Sequence, residues 1–268
     1  MESYIPKADK NLGQNFLLDP AICAKIASVA NDIKDKTVIE VGPGPAKLTK
    51  AILDLNPKKL IVIEKDARFL PFLESLALDH SNLEIILADA TKVDLLSLQR
   101  TQDEKIKIIA NLPYNIGTRL LIDWLDHAKI IDELILMLQK EVVTRICANS
   151  CNYEYGRLAI LVQCIANAKK IFDVKPGSFV PAPKVHSSIV HITPKNDDAL
   201  PSTQLYKAIK HVTHAAFTQR RKMLKSSLKS LPNIEQIFKN LSINSNLRAE
   251  NLTVQDYINL ANSTKEFL

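Results

Sequence analysis

No run of eighteen apolar residues occurs in the sequence, so no membrane-spanning helix is expected. The start, Met1-Glu2-Ser3-Tyr4, has no charged leader followed by an apolar stretch, so secretion is not expected and a cytoplasmic location is. Cysteine is scarce. Cys23, Cys147, Cys151 and Cys164 form no CxxC pair, which points to reduced thiols serving as small buried hydrophobes rather than to a disulfide framework. The six histidines show no zinc spacing, and no metal is expected. No internal repeat is found. A further absence is local: between Ala199 and Ile234 there is no acidic residue, while Lys207, Lys210, Arg220, Arg221, Lys222, Lys225 and Lys229 are all basic. Helix faces normally mix signs, so this one-sided stretch predicts a phosphate-binding face and a nucleic-acid partner.

What is present fits a large domain followed by a smaller one: 268 residues, 46% of them hydrophobic. The 35 Lys and Arg outnumber the 29 Asp and Glu, which favours an anionic partner. Along the chain, a polar turn over residues 10–16 leads to a helix signal. Asp19 is its N-cap, Pro20 its first residue, and Ile22, Ile26, Val29 and Ile33 are at helical spacing. This polar segment could close over a bound ligand. The run Thr37-Val38-Ile39-Glu40-Val41 then predicts a buried strand, Gly42-Pro43-Gly44-Pro45-Ala46 a tight turn, and 47–53 a helix. Strand, glycine turn and helix bring backbone N–H groups against a nucleotide-like ligand. Pro43 and Pro45, however, remove two N–H donors that a pyrophosphate would need, so a ligand without phosphates fits better.

A second strand, 59–63, ends at Glu64, which follows Gly44 by 20 positions, the spacing at which an acidic residue meets ribose hydroxyls. A third, 83–87, ends at Ala88-Asp89, and Asp89 is placed to accept a bond from an adenine amine. A fourth, 105–110, runs into Asn111-Leu112-Pro113-Tyr114. Further helices are expected over 118–125, 140–149 and 158–166, and strands over 133–139, 171–174 and 188–192. The alternation implies a doubly wound, mostly parallel sheet. The proline-rich loop 175–184 holds Phe179 either as a ring for stacking a base or as an anchor on the core. Residues 194–201 read as a linker, dividing the chain into 1–198 and 199–268.

The tetrapeptide Asn111 to Tyr114 carries the most specific chemistry. An exocyclic aromatic amine is a poor nucleophile because its lone pair is delocalised into the ring. The Asn111 side-chain oxygen and a carbonyl at Leu112 or Pro113 can accept the two amine hydrogens, which leaves the lone pair aimed outward. Pro113 keeps Leu112 extended, and Tyr114 can stack on the ring or face a developing positive charge.

Taken in order, these motifs resemble the bacterial small-subunit ribosomal RNA adenine dimethyltransferases, a family of class I S-adenosylmethionine-dependent methyltransferases. The match runs nearly end to end. Residues 11–17 are similar to the family's amino-terminal cofactor motif, 40–44 to its glycine loop, 62–66 to its ribose motif, 88–90 to its adenine motif, and 111–116 to its catalytic motif. Residues 179–185 resemble its target-base loop and 216–222 a basic signature of its helical domain. Ala46 stands where a third glycine is usual, and Gly117 where a slightly larger residue is common.

The resemblance implies an α/β fold: a Rossmann-like class I methyltransferase sheet over residues 1–198 and a small carboxyl-terminal all-α RNA-binding domain over 199–268. It implies S-adenosylmethionine held by Asn15, Leu17, Gly42, Gly44, Glu64, Asp89 and Asn111. Catalysis falls to Asn111, Leu112, Pro113, Tyr114 and Phe179, and RNA binding to Arg220, Arg221, Lys222 and Lys225. The implied reaction is dimethylation at N6 of two adjacent adenosines in a hairpin near the 3′ end of 16S rRNA, in a 30S precursor, by a monomer. Two rival readings are a resistance-type enzyme acting on large-subunit rRNA and an assembly factor that has lost catalysis.

Overall fold

In a computed structural model, residues 5–99, 101 and 104–265 are described; the Met1 to Tyr4 start lies outside them. Among the described residues no helix is long and apolar enough to cross a membrane. The chain forms two compact units, Met1–Val143 with Lys169–Pro194, and Thr144–Ala168 with Lys195–Leu268. The second unit therefore draws on two chain segments, where the sequence pattern alone starts a second domain at 199.

The first unit holds strands β1 (Phe16–Leu17), β2 (Thr37–Val41), β3 (Lys59–Glu64), β4 (Leu83–Leu87), β5 (Ile106–Asn111) and β6 (Ile131–Gln139). The chain then adds β7 (Ala166–Val174), β8 (Phe179–Val180) and β9 (Ser187–Pro194). Seven of these form one sheet in the order β4-β3-β2-β5-β6-β9-β7, and β1 pairs with β8 apart from it. The five strands from β4 to β6 run parallel, and β9 is antiparallel to β6. β2 is buried at all five positions, as a β-branched run covered on both faces of a parallel sheet should be.

Helices α1 (Pro20–Ala27), α2 (Lys47–Leu53) and α3 (Leu70–Asp79) pack Ile26, Ile52 and Leu73 into one cluster with Val38, Leu60, Val62 and Ile109. The alternate strand residues Ile39, Ile61 and Ile108 are equally buried, so the sheet is covered on its other face too. Asp19 caps α1 as its position suggests, accepting bonds from Ala21 N at 2.9 Å and Ile22 N at 3.2 Å. Helix α4 (Gly117–Leu125) follows β5. A Cβ on Gly117 would lie 2.7 Å from Leu138 Cδ2, the end of a flexible side chain, and 3.2 Å from Leu112 Cβ, so a larger residue here requires those side chains to shift.

β7 begins at Ala166, earlier than its apolar pattern suggests. Its burial alternates along all nine residues, but Ala166, Ala168 and the stem of Lys170 line the inner face, a weak β signal. In the second unit, helices α6 (Arg157–Gln163), α7 (Thr203–Thr218), α9 (Ile234–Asn240) and α10 (Val254–Thr264) surround buried Tyr206, Ile209, Val212, Phe238, Tyr257 and Leu260. The short helix α8 (Leu224–Ser227) also lies in the second unit, and α5 (Lys140–Ile146) begins in the first unit and ends in the second.

A buried charge network crosses the sheet near the amino ends of its parallel strands. Lys107 and Glu133, 2% and 1% exposed, are partners in register on β5 and β6. Lys107 Nζ donates to Glu133 Oε1 at 2.6 Å and to Asp132 Oδ2 at 2.9 Å. His191 Nε2 lies 2.7 Å from Glu133 Oε2, and Asn31 donates its backbone and side-chain N–H groups to the same carboxylate. Burial opposes the Glu133 charge, yet His191 and Lys107 outweigh it and hold the carboxyl below its usual range. Removing one partner leaves an uncompensated buried charge. Lys107→Met should therefore lower the stability of the protein by about 3 kcal/mol, measured by urea unfolding with an unchanged slope. A variant as stable as the wild type would show the ion pair to be dispensable.

A candidate active site at the carboxyl edge of the sheet

The parallel register brings the ends of β2, β3, β4 and β5 to one edge, and a cleft opens there. Gly42 and Gly44 turn the chain out of β2 with φ of +69° and +51°. A Cβ at Gly44 would meet Phe16 Cδ1 at 3.2 Å, so the turn passes close under β1. Ala46 takes the same left-handed conformation at φ +61° and leads into α2. That backbone costs an alanine about 1–2 kcal/mol, and burial of its methyl in the core cluster offsets part of it.

Glu64, at the end of β3, is largely committed to the backbone. Its Oε2 accepts Gly44 N at 3.0 Å, and Oε1 accepts Lys65 N and Asp66 N, both at 2.8 Å. Burial still raises its pKa against these three bonds. A carboxylate has about four acceptor positions, so one remains open on Oε2. Asp89 caps the turn after β4. Its Oδ1 accepts the Thr91 hydroxyl at 2.7 Å and Thr91 N at 3.0 Å, and its Oδ2 the Lys65 ammonium at 3.0 Å. These bonds hold the Asp89 carboxyl at about 2.

The amino-terminal segment closes one side of the cleft. Gln14 Nε2 donates to Asp66 Oδ2 at 2.9 Å, while Asp9 N donates to Gln14 Oε1 at 2.8 Å. Arg68 also grips Asp66, and together with Gln14 keeps that carboxyl at about 2. The Asn15 carbonyl accepts Asn111 Nδ2 at 3.4 Å. Beyond Asn111, Leu112 is buried and Pro113 O accepts two bonds, from Ile116 N at 3.1 Å and Gly117 N at 2.9 Å. Tyr114 lines the cleft, and its hydroxyl lies 2.6 Å from Ser187 Oγ.

All the residues expected to hold the cofactor line this one cleft: Asn15, Leu17, Gly42, Gly44, Glu64, Asp89 and Asn111. So do Leu112, Pro113 and Tyr114. Phe179 does not. It is 3% exposed within the core cluster and pairs with Leu17 through β8 and β1, so of its two possible places it takes the core. Arg221, Lys222 and Lys225 are exposed on the second unit. Arg220 is engaged within that unit: its Nε donates to Glu250 Oε2 at 2.7 Å, and its guanidinium lies 5.3 Å from the centre of the Tyr153 ring.

The lining also includes Glu40, Gln14 and Arg119, which are not among the expected site residues. Glu40 stands out. It is 1% exposed, and its Oε2 has no hydrogen-bond partner among the described residues. Burial pushes its carboxyl up to about 8, against a lowering effect of Thr49 and with a smaller push from the charge of Glu64. The available signal was an acidic residue inside an otherwise apolar strand, Thr37-Val38-Ile39-Glu40-Val41.

The sequence pattern of ribosomal RNA adenine dimethylases matches residues 5–266. A ribosomal RNA small subunit methyltransferase A from Rhizobium johnstonii is 47% identical over 261 residues, covering 96% of this chain and 92% of the relative. The protein of the same name from Gluconobacter oxydans is 44% identical over 255 residues, covering 95% and 82%. The crystal structure of a dimethyladenosine transferase from Plasmodium falciparum superposes with a TM-score of 0.77 at 26% identity, over 91% of this chain and 95% of that one. The 23S rRNA methyltransferase ErmE shares the fold, with a TM-score of 0.70 at 22% identity over 93% and 99%. With four strand ends meeting at one cleft and a match over nearly its whole length, this chain belongs to the ribosomal RNA adenine dimethylase family.

Proposed function

We propose that the protein transfers methyl groups from S-adenosylmethionine to N6 of two adjacent adenosines in the 3′-terminal hairpin of 16S rRNA, dimethylating each during assembly of the 30S particle. The observation that carries this reading is the convergence of Glu40, Glu64, Asp89 and the Asn111 to Tyr114 motif on one cleft in a member of this family.

The cleft suits the cofactor on chemical grounds. Glu40 Oε2, buried and without a hydrogen-bond partner among the described residues, complements a cation. The open acceptor position on Glu64 suits a ribose hydroxyl, and Asp89 suits an adenine amine. Two prolines in the glycine turn withhold N–H groups from phosphates, which this cofactor lacks. When bound, S-adenosylmethionine supplies an electrophilic methyl on a sulfonium.

The chain's own residues then orient the amine. The Nδ2 of Asn111 is taken by the Asn15 carbonyl, which leaves Oδ1 to accept one amine hydrogen. Pro113 O already accepts two bonds, so the Leu112 carbonyl is the main-chain candidate for the second hydrogen. In the first transfer both acceptors hold the nitrogen pyramidal with its lone pair toward the methyl, and the methylated nitrogen then releases one proton to solvent; in the second transfer the one remaining hydrogen is held by one of the two acceptors. Tyr114 presents an electron-rich ring to the positive charge that develops on nitrogen. The adenosine leaves its stack to reach this pocket, and Arg221, Lys222 and Lys225 on the second unit bind phosphates of the RNA. On this reading 1–198 is the catalytic part, 199–268 carries the RNA-binding face, and the enzyme works in the cytoplasm as a monomer.

Two dimethylated adenines block reverse transcription, because the methyls occupy the pairing edge. Expressed in a strain lacking this modification, the protein should restore the primer-extension stop near the 3′ end of 16S rRNA, and Asn111→Ala should not. A new stop in 23S rRNA would overturn the assignment, and restoration by Asn111→Ala would overturn the role of Asn111.

Glu40 predicts a pH effect on the free protein. Its carboxyl titrates at about 8 when folded and near 4.5 when exposed, so between these values the folded state holds a proton that the unfolded state has lost. Stability then falls as pH rises through that window, by at most about 1.4 kcal/mol per pH unit. Glu40→Gln should melt progressively higher than wild type between about pH 5 and 8, and with an equal margin above that. Parallel melting curves would show that Glu40 keeps its charge.

A further inference from the structure

We infer that Ser187 is a positioning residue for methyl transfer, its buried hydroxyl fixing the ring of Tyr114 at the cleft. The inference rests on the proposed role of Tyr114 beside the target base.

Ser187 is fully buried and stands at the first position of β9, in register with Gln139 at the end of β6. The backbone there is anchored by a bond of 2.9 Å from Lys140 N to His186 O. The neighbouring Ser188 is also fully buried, and alternation along the strand sends its hydroxyl the other way, to Asp173 Oδ1 at 2.6 Å. Asp173 in turn accepts the ammonium groups of Lys140 at 2.8 Å and Lys170 at 2.6 Å, which keep its carboxyl well below the usual range. Ser187 is therefore held by its backbone and its neighbours, and its own hydroxyl is given to Tyr114 across 73 positions of sequence.

The consequence is directional. Tyr114 lines the cleft and Ser187 does not, so the 2.6 Å bond turns the phenol oxygen out of the cleft and leaves the ring to face it. A tyrosine tethered at its tip loses the freedom to swing about its first two side-chain torsions. Displacement of a reacting group by about 1 Å can lower a rate about 100-fold, so the tether matters to the reaction and much less to binding. The strain on a loose pocket is greatest in the second transfer, when the nitrogen already carries a methyl group.

The test uses the full-length protein, labelled S-adenosylmethionine and undermethylated 30S particles, with nucleoside analysis of the product. Ser187→Ala should lower kcat about 10-fold or more while changing the KM for cofactor less than about 3-fold, and should raise the ratio of monomethyl- to dimethyladenosine. Compared at equal total methyl transfer, a smaller active fraction would leave that ratio unchanged. Tyr114→Phe, which removes the other half of the bond without emptying a buried site, should give the same product shift, and the double variant should be no worse than either alone. A wild-type product ratio in both single variants, or effects that multiply in the double variant, would overturn the inference. Absence of transfer by the wild-type protein would overturn the proposed function, and this inference with it.

Discussion

The carboxylate of Glu64 is the contact on which the site depends. It binds the backbone of the glycine turn after β2 to the end of its own strand, β3, through Gly44 N, Lys65 N and Asp66 N. From there a relay of bonds runs through Asp66 to Gln14, along the segment to Asn15, and from the Asn15 carbonyl to Asn111. The residue expected to meet the cofactor ribose and the residue expected to orient the target amine thus belong to one bonded structure. A site that must place two reactants within a few tenths of an ångström gains from being built this way.

The chemistry at this edge needs little beyond position. No strong base is required when two acceptors hold the amine nitrogen pyramidal and positive charge moves from sulfur to nitrogen. The unusual groups serve that balance. Glu40 sits buried without a partner for one oxygen, and Asp89 is held ionised by Thr91 and Lys65. The sheet isolates the site from its other charged feature: Lys107 and Asn111 are four residues apart on β5, about 13 Å along the strand, so the Lys107–Glu133–His191 network lies well away from the cleft.

Much of the first unit was legible in the sequence because β2, β3 and β5 are β-branched runs buried on both faces, and these strands and the partly exposed β4 lead into Gly42, Glu64, Asn111 and Asp89. The spacing of Gly42, Gly44 and Glu64 pointed to residues that line the cleft, whereas Asn15 and Leu17 were expected from the family resemblance alone. What escaped depends on contacts remote in sequence. The place of Thr144–Ala168 in the second unit follows from packing on segments after Lys195. The burial of Phe179 follows from a two-residue pairing with β1, and the engagement of Arg220 from Glu250, thirty residues on. Ser187 meets Tyr114 only because β9 folds back antiparallel on β6, a register that no local pattern states.

The central claim, that this cleft joins S-adenosylmethionine to an adenine amine of the small-subunit rRNA, is tested most directly by substrate choice. Labelled methyl from S-adenosylmethionine would be offered to undermethylated 30S particles, to 50S particles and to free DNA, and the modified nucleosides identified. The account predicts N6,N6-dimethyladenosine in 16S rRNA of the 30S particles alone. Label in 50S RNA, or tight binding to 30S particles without transfer, would contradict it.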